Sequence, residues 1–215
     1  YSTFAAIDIG SYDVILEIFE ISKKQGIRSV DKICHRMELG KDTYTLGKIR
    51  PEMEEELCRV LADFVRIMEG YRVDDYRATA SSAISEASNS LYVLGKIHQL
   101  TGLSVTVLSN SEQRFLSYKA LAAMEDNFNK IIEKGTAILD LDGGSFQISL
   151  FDKDALVTTQ NIRMGSLRIR ERLAGIQSET EHYEEMVEEL IWNEVSSFKK
   201  MYLLSLIHIS EPTRH

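Results

Sequence analysis

The chain has 215 residues, 44% of them hydrophobic and 27% charged, with a formal net charge of −8. That length and balance allow one large domain or two small ones with a real core. The acidic surplus argues against a broad nucleic-acid or anionic-membrane surface, which needs an excess of Lys and Arg, and no apolar run approaches the ~18 residues needed to cross a bilayer.

Strand signals open the chain. Residues 4–9, 14–21 and 27–37 are rich in Ile and Val, are joined by short turns such as Lys23-Lys24-Gln25-Gly26, and predict an antiparallel meander. Pro51 marks a helix start, and Leu57, Val60, Leu61, Phe64, Val65 and Met68 follow at the spacing of one buried face, ending at Gly70. Residues 76–81 read as a strand. Leu91, Val93, Leu94, Ile97 and Leu100 mark a helix closed by Gly102, and residues 103–108 return as a strand. Strand, helix and strand in that order predict a right-handed parallel crossover.

Residues 111–129 read as helical, and Lys134-Gly135 then opens a second strand pair at Thr136. From Ser178 a Glu-rich stretch, residues 179–189, leads into a last helix with Met186, Val187, Leu190, Ile191, Val195 and Phe198 turned inward. The order β-β-β-α-β-α-β-α, restarting with β-β, is an α/β layout whose second half repeats the opening of the first. It resembles the topology of the actin-like ATPase and sugar-kinase superfamily, a ribonuclease H-like fold of two related lobes. The lobes are expected at residues 1–130 and 131–203.

The chain starts at Tyr1 without Met, so an N-terminal piece is expected to be missing, and no charged-then-apolar leader precedes the first strand. Residues 204–214, Leu-Ser-Leu-Ile-His-Ile-Ser-Glu-Pro-Thr-Arg, resemble a translated sequencing adapter. They are set aside as a non-native tail, which makes the second lobe a truncated one. Cys34 and Cys58 have no C-x-x-C or Cys/His spacing and read as reduced, packed thiols of a cytoplasmic protein.

Two stretches share a plan. Phe4-Ala5-Ala6-Ile7-Asp8-Ile9-Gly10-Ser11 and Ala137-Ile138-Leu139-Asp140-Leu141-Asp142-Gly143-Gly144-Ser145 each run an apolar strand into Asp, Gly and Ser, and a second strand follows. A strand that ends in Asp and turns on Gly lets backbone N–H groups point at an oxyanion, with the Asp beside it for a cation or a water. One such loop per half predicts a phosphate clamped between two related domains.

Four segments together resemble the exopolyphosphatase and guanosine pentaphosphate phosphohydrolase (Ppx/GppA) family. They are Asp8-Ile9-Gly10-Ser11, the run from Ala80 to Asn89, Leu108-Ser109-Asn110-Ser111-Glu112-Gln113, and the loop from Asp140 to Gln147. The resemblance implies a hydrolase that releases terminal phosphate from polyphosphate or guanosine penta- or tetraphosphate, with Mg²⁺, in a cytoplasmic homodimer. By the same resemblance Gly10, Ser11, Gly143, Gly144 and Ser145 would cradle phosphate. Asp8, Asp140 and Asp142 would be placed for metal, and Gln113, Glu112, Asp140 and Gln147 would stand at the catalytic positions.

This chain departs from the family pattern at several of those positions. Gln113 and Gln147 stand where the family has Glu, and an amide orients water without accepting a proton, a loss of ~10²–10⁴ in rate where general-base assistance is needed. Ser85 stands where the family has Arg, Tyr12 and Asp13 replace a small polar pair, and Asp142 puts a negative charge at a usual Gly position. Glu112 is the nearby substitute base. Ser109-x-x-Glu112 is also a capping box, and this structural role outweighs the catalytic one.

His35, His98 and His182 are scattered without ligand spacing. Arg163, Arg168 and Arg170 flank Gly165 after a third strand of the second half, placed for a distal part of a polyanion or for ordinary ion pairs. Trp192 and the tyrosines, among them Tyr44, Tyr71, Tyr76 and Tyr118, show no basic interleaving of the kind nucleic acid requires. Two further readings stand beside the hydrolase: a sensor that keeps the clamp without the chemistry, and, ranked last, a sugar kinase or ATPase of the wider superfamily.

Overall fold

The computed structural model describes residues 1–175 and 182–200. Ser178, the start of the Glu-rich stretch and the adapter-like residues 204–214 lie outside the described residues. The sequence reading puts the lobe boundary at 130/131, and the compact units divide at Ser117/Tyr118.

In the first unit, β1 (Ser2–Ile9), β2 (Asp13–Ser22), β3 (Gly26–Arg36), β4 (Asp75–Ala80) and β5 (Val105–Val107) form a sheet in the order β3-β2-β1-β4-β5. The first three strands pair antiparallel, as the expected meander requires, and β4 and β5 join parallel to β1. Strand alternation puts Ala5, Ile7 and Ile9 of β1, Val14, Leu16 and Ile18 of β2, and Ala78 and Ala80 of β4 into one core. Leu57, Leu61, Phe64 and Met68 of α2 (Pro51–Gly70) complete it, as their spacing predicts. Each fully buried Leu or Ile stabilises by ~1.5–3 kcal/mol.

α4 (Ser90–Thr101) buries Val93 and Ile97, whereas Leu91 and Leu100 are exposed, so its apolar stripe is narrower than the sequence implied. Two short helices were not predicted: α1 (Leu39–Leu46) and α3 (Ser82–Ser85). α1 starts after Glu38, in the left-handed region at φ 49°, and no side chain caps it. The usual Ser/Thr/Asp start signal is therefore absent from the sequence.

α5 (Asn110–Met124) carries the unit boundary, and the expected helix through residue 129 breaks there and resumes as α6 (Phe128–Ile132). In the second unit β6 (Thr136–Leu141), β7 (Phe146–Asp152) and β8 (Ala155–Ile162) form an antiparallel meander. α7 (Ser166–Leu173), also not predicted, and α8 (Tyr183–Phe198) complete the unit. Ile148, Ile162, Met164, Ile169, Leu173 and Phe198 form its core, with Met186, Val187 and Leu190 packed against it. Ile191, expected inward, is exposed beside Trp192. Among the described residues no helix is long and apolar enough to cross a membrane.

Candidate functional site

Parallel pairing brings three of the sequence motifs to one sheet edge. Ile9 pairs with Ala80 and Ala80 with Val107, so β1, β4 and β5 end level with one another. Their carboxyl ends lead into Gly10-Ser11, Ser81-Ser82 and Leu108-Ser109. The carboxyl ends of parallel strands are where open α/β sheets bind ligands.

The first loop is tight: Gly10 N–H donates to Asp13 O at 3.0 Å, and a Cβ on Gly10 would lie 3.1 Å from that same oxygen. Its carbonyls face α1. Met37 and Glu38 N–H both donate to Tyr12 O, and Gly40 N–H donates to Ser11 O. Ser11 is buried, and its hydroxyl pairs with the Tyr44 hydroxyl at 2.6 Å, which pairs in turn with Ser82 Oγ at 2.7 Å. Tyr44 therefore ties the first loop to the second motif. The sequence reading weighed it only as one aromatic among several, because the helix that delivers it was not foreseen.

Other motif residues are structural. Asn89 accepts Ile49 N–H on Oδ1 and donates Nδ2–H to Ile49 O and to the buried Glu54 carboxylate. Asp42, also buried, accepts the backbone and side-chain N–H of Arg50. Thr43 donates its hydroxyl to Ala83 O. Ser85, at the position of the family's Arg, lies in α3. Asp8 lies on the opposite, exposed face of β1 from Ile7 and Ile9.

The capping box at the start of α5 forms as expected. Ser109 N–H and Oγ–H both donate to Glu112 Oε2 at 2.8 Å, and Glu112 N–H donates to Ser109 Oγ at 3.2 Å. Backbone and then side-chain bonding from Ser109 hold the Glu112 carboxyl below its ordinary range. Both effects favour the ionised form and tie it to the helix end. Gln113, the next residue, is half-buried.

The second loop follows β6. Asp142 N–H donates to Ser145 O at 3.0 Å, the counterpart of the Gly10 to Asp13 bond. Asp142 Oδ1 accepts the N–H of Gly144 at 2.7 Å and of Ser145 at 2.6 Å, and Oδ2 takes the Ser145 hydroxyl at 3.4 Å. The two amides that the sequence assigns to phosphate are donated to a carboxylate of the loop itself. The loop carbonyls again face a helix start: Ser166 N–H donates to Asp142 O, and Leu167 and Arg168 N–H donate to Gly143 O. Arg168 Nε–H also donates to Gly144 O at 2.8 Å.

Gly165, at the N-cap of α7, sits directly against this loop. A Cβ there would lie 2.3–2.4 Å from Gly143 C, Gly144 N and Ser145 N. The sequence reading noted Gly165 only as the residue between arginines. It is the residue before α7, a helix that no local cap residue announces in the sequence.

Asp140, Gln147 and Asn161 lie in register across β6, β7 and β8. Gln147 and Ser149 of β7 and Ser145, just before it, alternate along the chain and are all buried. Among the described residues Gln147 Oε1 and Asn161 Nδ2 are buried without a hydrogen-bond partner. Ser149 is served by the Tyr118 hydroxyl, which donates to it, and lies 3.3 Å from Thr159 Oγ1. Asn161 was not singled out from the sequence.

Among the described residues no group of three or more His, Cys, Asp or Glu gathers to hold a metal ion. His35 pairs with Glu56, His98 with Leu103 O and His182 with Glu185. Arg170 pairs with Glu171. A cavity of about 450 Å³ between the second sheet and α7 and α8 has the opposite chemistry, with Phe146, Ile162, Met164 and Val187 on its walls.

Each unit's strand hairpin is followed by a third strand and a helix, and the chain has the actin-like α/β fold of the solved structures it superposes on. The chain matches the Ppx/GppA phosphatase family over residues 17–212 and belongs to that family. It is 22% identical over 174 residues to a bifunctional 3-dehydroquinate synthase/phosphatase of Fusobacterium nucleatum, covering 78% of this chain and 26% of that protein. With exopolyphosphatase 1 of Mycobacterium leprae it shares 25% identity over 144 residues, 66% of this chain and 41% of the other. The crystal structure of an Aquifex aeolicus Ppx/GppA family member superposes with a TM-score of 0.69 at 23% identity, over 92% of this chain and 62% of that one. The chain thus spans well under half the length of these two curated relatives.

Proposed function

We propose that this chain binds the terminal phosphates of a linear phosphoanhydride, inorganic polyphosphate or a guanosine penta- or tetraphosphate, and hydrolyses the last anhydride bond slowly. The observation that carries the reading is the gathering of Gly10-Ser11, Ser81-Ser82 and Ser109 at one carboxyl edge of parallel strands in a member of a phosphatase family. Gly10 and Ser11 at that edge, and the loop of Gly143, Gly144 and Ser145 in the second unit, are the phosphate-holding groups. Gln113 orients the attacking water without taking its proton, and Gln147 and Asp140 form the polar shelf of the second loop. Magnesium carried in with the phosphates would neutralise the anhydride charge, and Asp8 and Asp140 are the carboxylates that would add to its shell. The same family likeness supports a cytoplasmic homodimer.

The rate is low because the two positions expected to carry a Glu base do not, and the neighbouring carboxylate is tied up. Gln113 and Gln147 are amides, and the Glu112 carboxylate is already engaged by Ser109. That engagement also favours a second reading, a sensor that binds the anion and does not turn it over.

Phosphate release from polyphosphate and from guanosine pentaphosphate, with Mg²⁺, separates the two for wild type and Gln113→Glu. The expected result is slow release by wild type and a gain of ~10²-fold or more in the variant. Binding without release by wild type, with release appearing in Gln113→Glu, establishes the sensor. Fast release by wild type that Asp140→Asn abolishes shows that Gln113 is no handicap.

A further inference from the structure

We propose that Asp142 is a resident anion of the second loop, holding the amides of Gly144 and Ser145 that an incoming phosphate oxygen must take. The inference rests on the reading of that loop as a phosphate cradle and adds a gate to it. Two successive N–H groups converge on one carboxylate oxygen at 2.7 and 2.6 Å, the arrangement such backbone nests offer to any oxyanion.

The backbone of this nest is fixed from behind. Three N–H groups at the start of α7 hold the carbonyls of Asp142 and Gly143, Arg168 holds that of Gly144, and Gly165 is packed against the chain with no room for a methyl group. The loop therefore has little freedom to turn its amides elsewhere, and the movable part is the Asp142 side chain. Rotating it away opens the nest and moves the negative charge off the anion's path. With the carboxylate in place, the nest is filled and like charge repels a phosphate. The first loop has glycine at the equivalent position, Gly10, and so has no such gate. Asp142 lowers the affinity of the second loop for free phosphates and selects for anions able to displace a carboxylate.

The test is calorimetric binding of inorganic tripolyphosphate to the full chain, without divalent cation, for wild type, Asp142→Gly and Asp142→Asn. The amide resonances of Gly144 and Ser145 are followed in the same titration. The expected result is binding at least about tenfold tighter in Asp142→Gly than in wild type, the scale of one charge-assisted hydrogen bond, with Asp142→Asn between them and both resonances shifting on addition. If those resonances shift but Asp142→Gly binds no tighter, the gate is overturned while the cradle stands. If tripolyphosphate leaves them unmoved in every variant, the cradle falls and the gate with it. Should Asp142→Gly fail to fold, Asp142→Asn decides alone: tighter binding supports the gate, and unchanged binding overturns it.

Discussion

The two units build the same device from different side chains. β1-β2-β3-α1 and β6-β7-β8-α7 each make a three-stranded meander followed by a short helix, and each helix start donates N–H groups to carbonyls of the first hairpin loop. Each loop also closes with the same i to i+3 bond, from Gly10 or from Asp142. A helix start has unpaired N–H groups and a tight loop has unpaired carbonyls, so docking one on the other satisfies both without a capping side chain. The comparison teaches that the loop backbone is held by a helix distant in sequence, while the residue at the turn sets the loop's chemistry. Glycine leaves the first loop to a hydroxyl relay through Tyr44, and aspartate fills the second.

The most severe way to break the second device is Gly165→Ala. Its new methyl group would lie 2.3–2.4 Å from loop backbone, and backbone cannot give way as a flexible side chain can. Its φ of −74° is ordinary, so the cost is one of space alone. Destabilisation of about 3 kcal/mol is expected, the upper end of overpacking effects. Urea unfolding followed by Trp192 in α8 reads this unit, and an unchanged midpoint sinks the argument. Gly10→Ala meets a single oxygen at 3.1 Å and should cost less, about 1 kcal/mol.

Tyr44→Phe sharpens the other side of the comparison. It removes the hydroxyl between Ser11 and Ser82 and leaves the ring in place. Loss of about 1 kcal/mol is expected, in the first unit only. Equal stability of the variant in urea, together with unchanged tripolyphosphate binding, disposes of the relay.

Much of this was legible in the sequence, and the rest was illegible for a local reason. The meander of residues 4–37, the stripe from Leu57 to Met68 and the Ser109 capping box write their periodicity or their cap into adjacent residues, and each formed as expected. α1 and α7 do not, since the groups that cap them belong to loops 24 or more residues earlier, as in Gly40 with Ser11 or Ser166 with Asp142. Missing those helices hid Tyr44 and Gly165 as well. The extra charge of Asp142 was visible in the sequence. That its carboxylate takes the very amides expected to hold phosphate depends on a side-chain rotation no pattern encodes.

The smallest expected effect concerns Glu112, and it decides whether that carboxylate is free to act as a base. Its folded pKa lies below its unfolded one because Ser109 N–H and Oγ–H donate to the ionised form. The sign follows: the capping contribution is complete at neutral pH and disappears as pH falls through the lowered folded value. Amide exchange at Glu112 and Gln113 should therefore quicken only on the acid side of the ordinary glutamate range. In Ser109→Ala the carboxyl should titrate closer to that range, because one of its two donors is gone. If instead Glu112 titrates identically with and without the serine hydroxyl, the cap is not what holds it, and Glu112 returns as a candidate for the base that Gln113 cannot be.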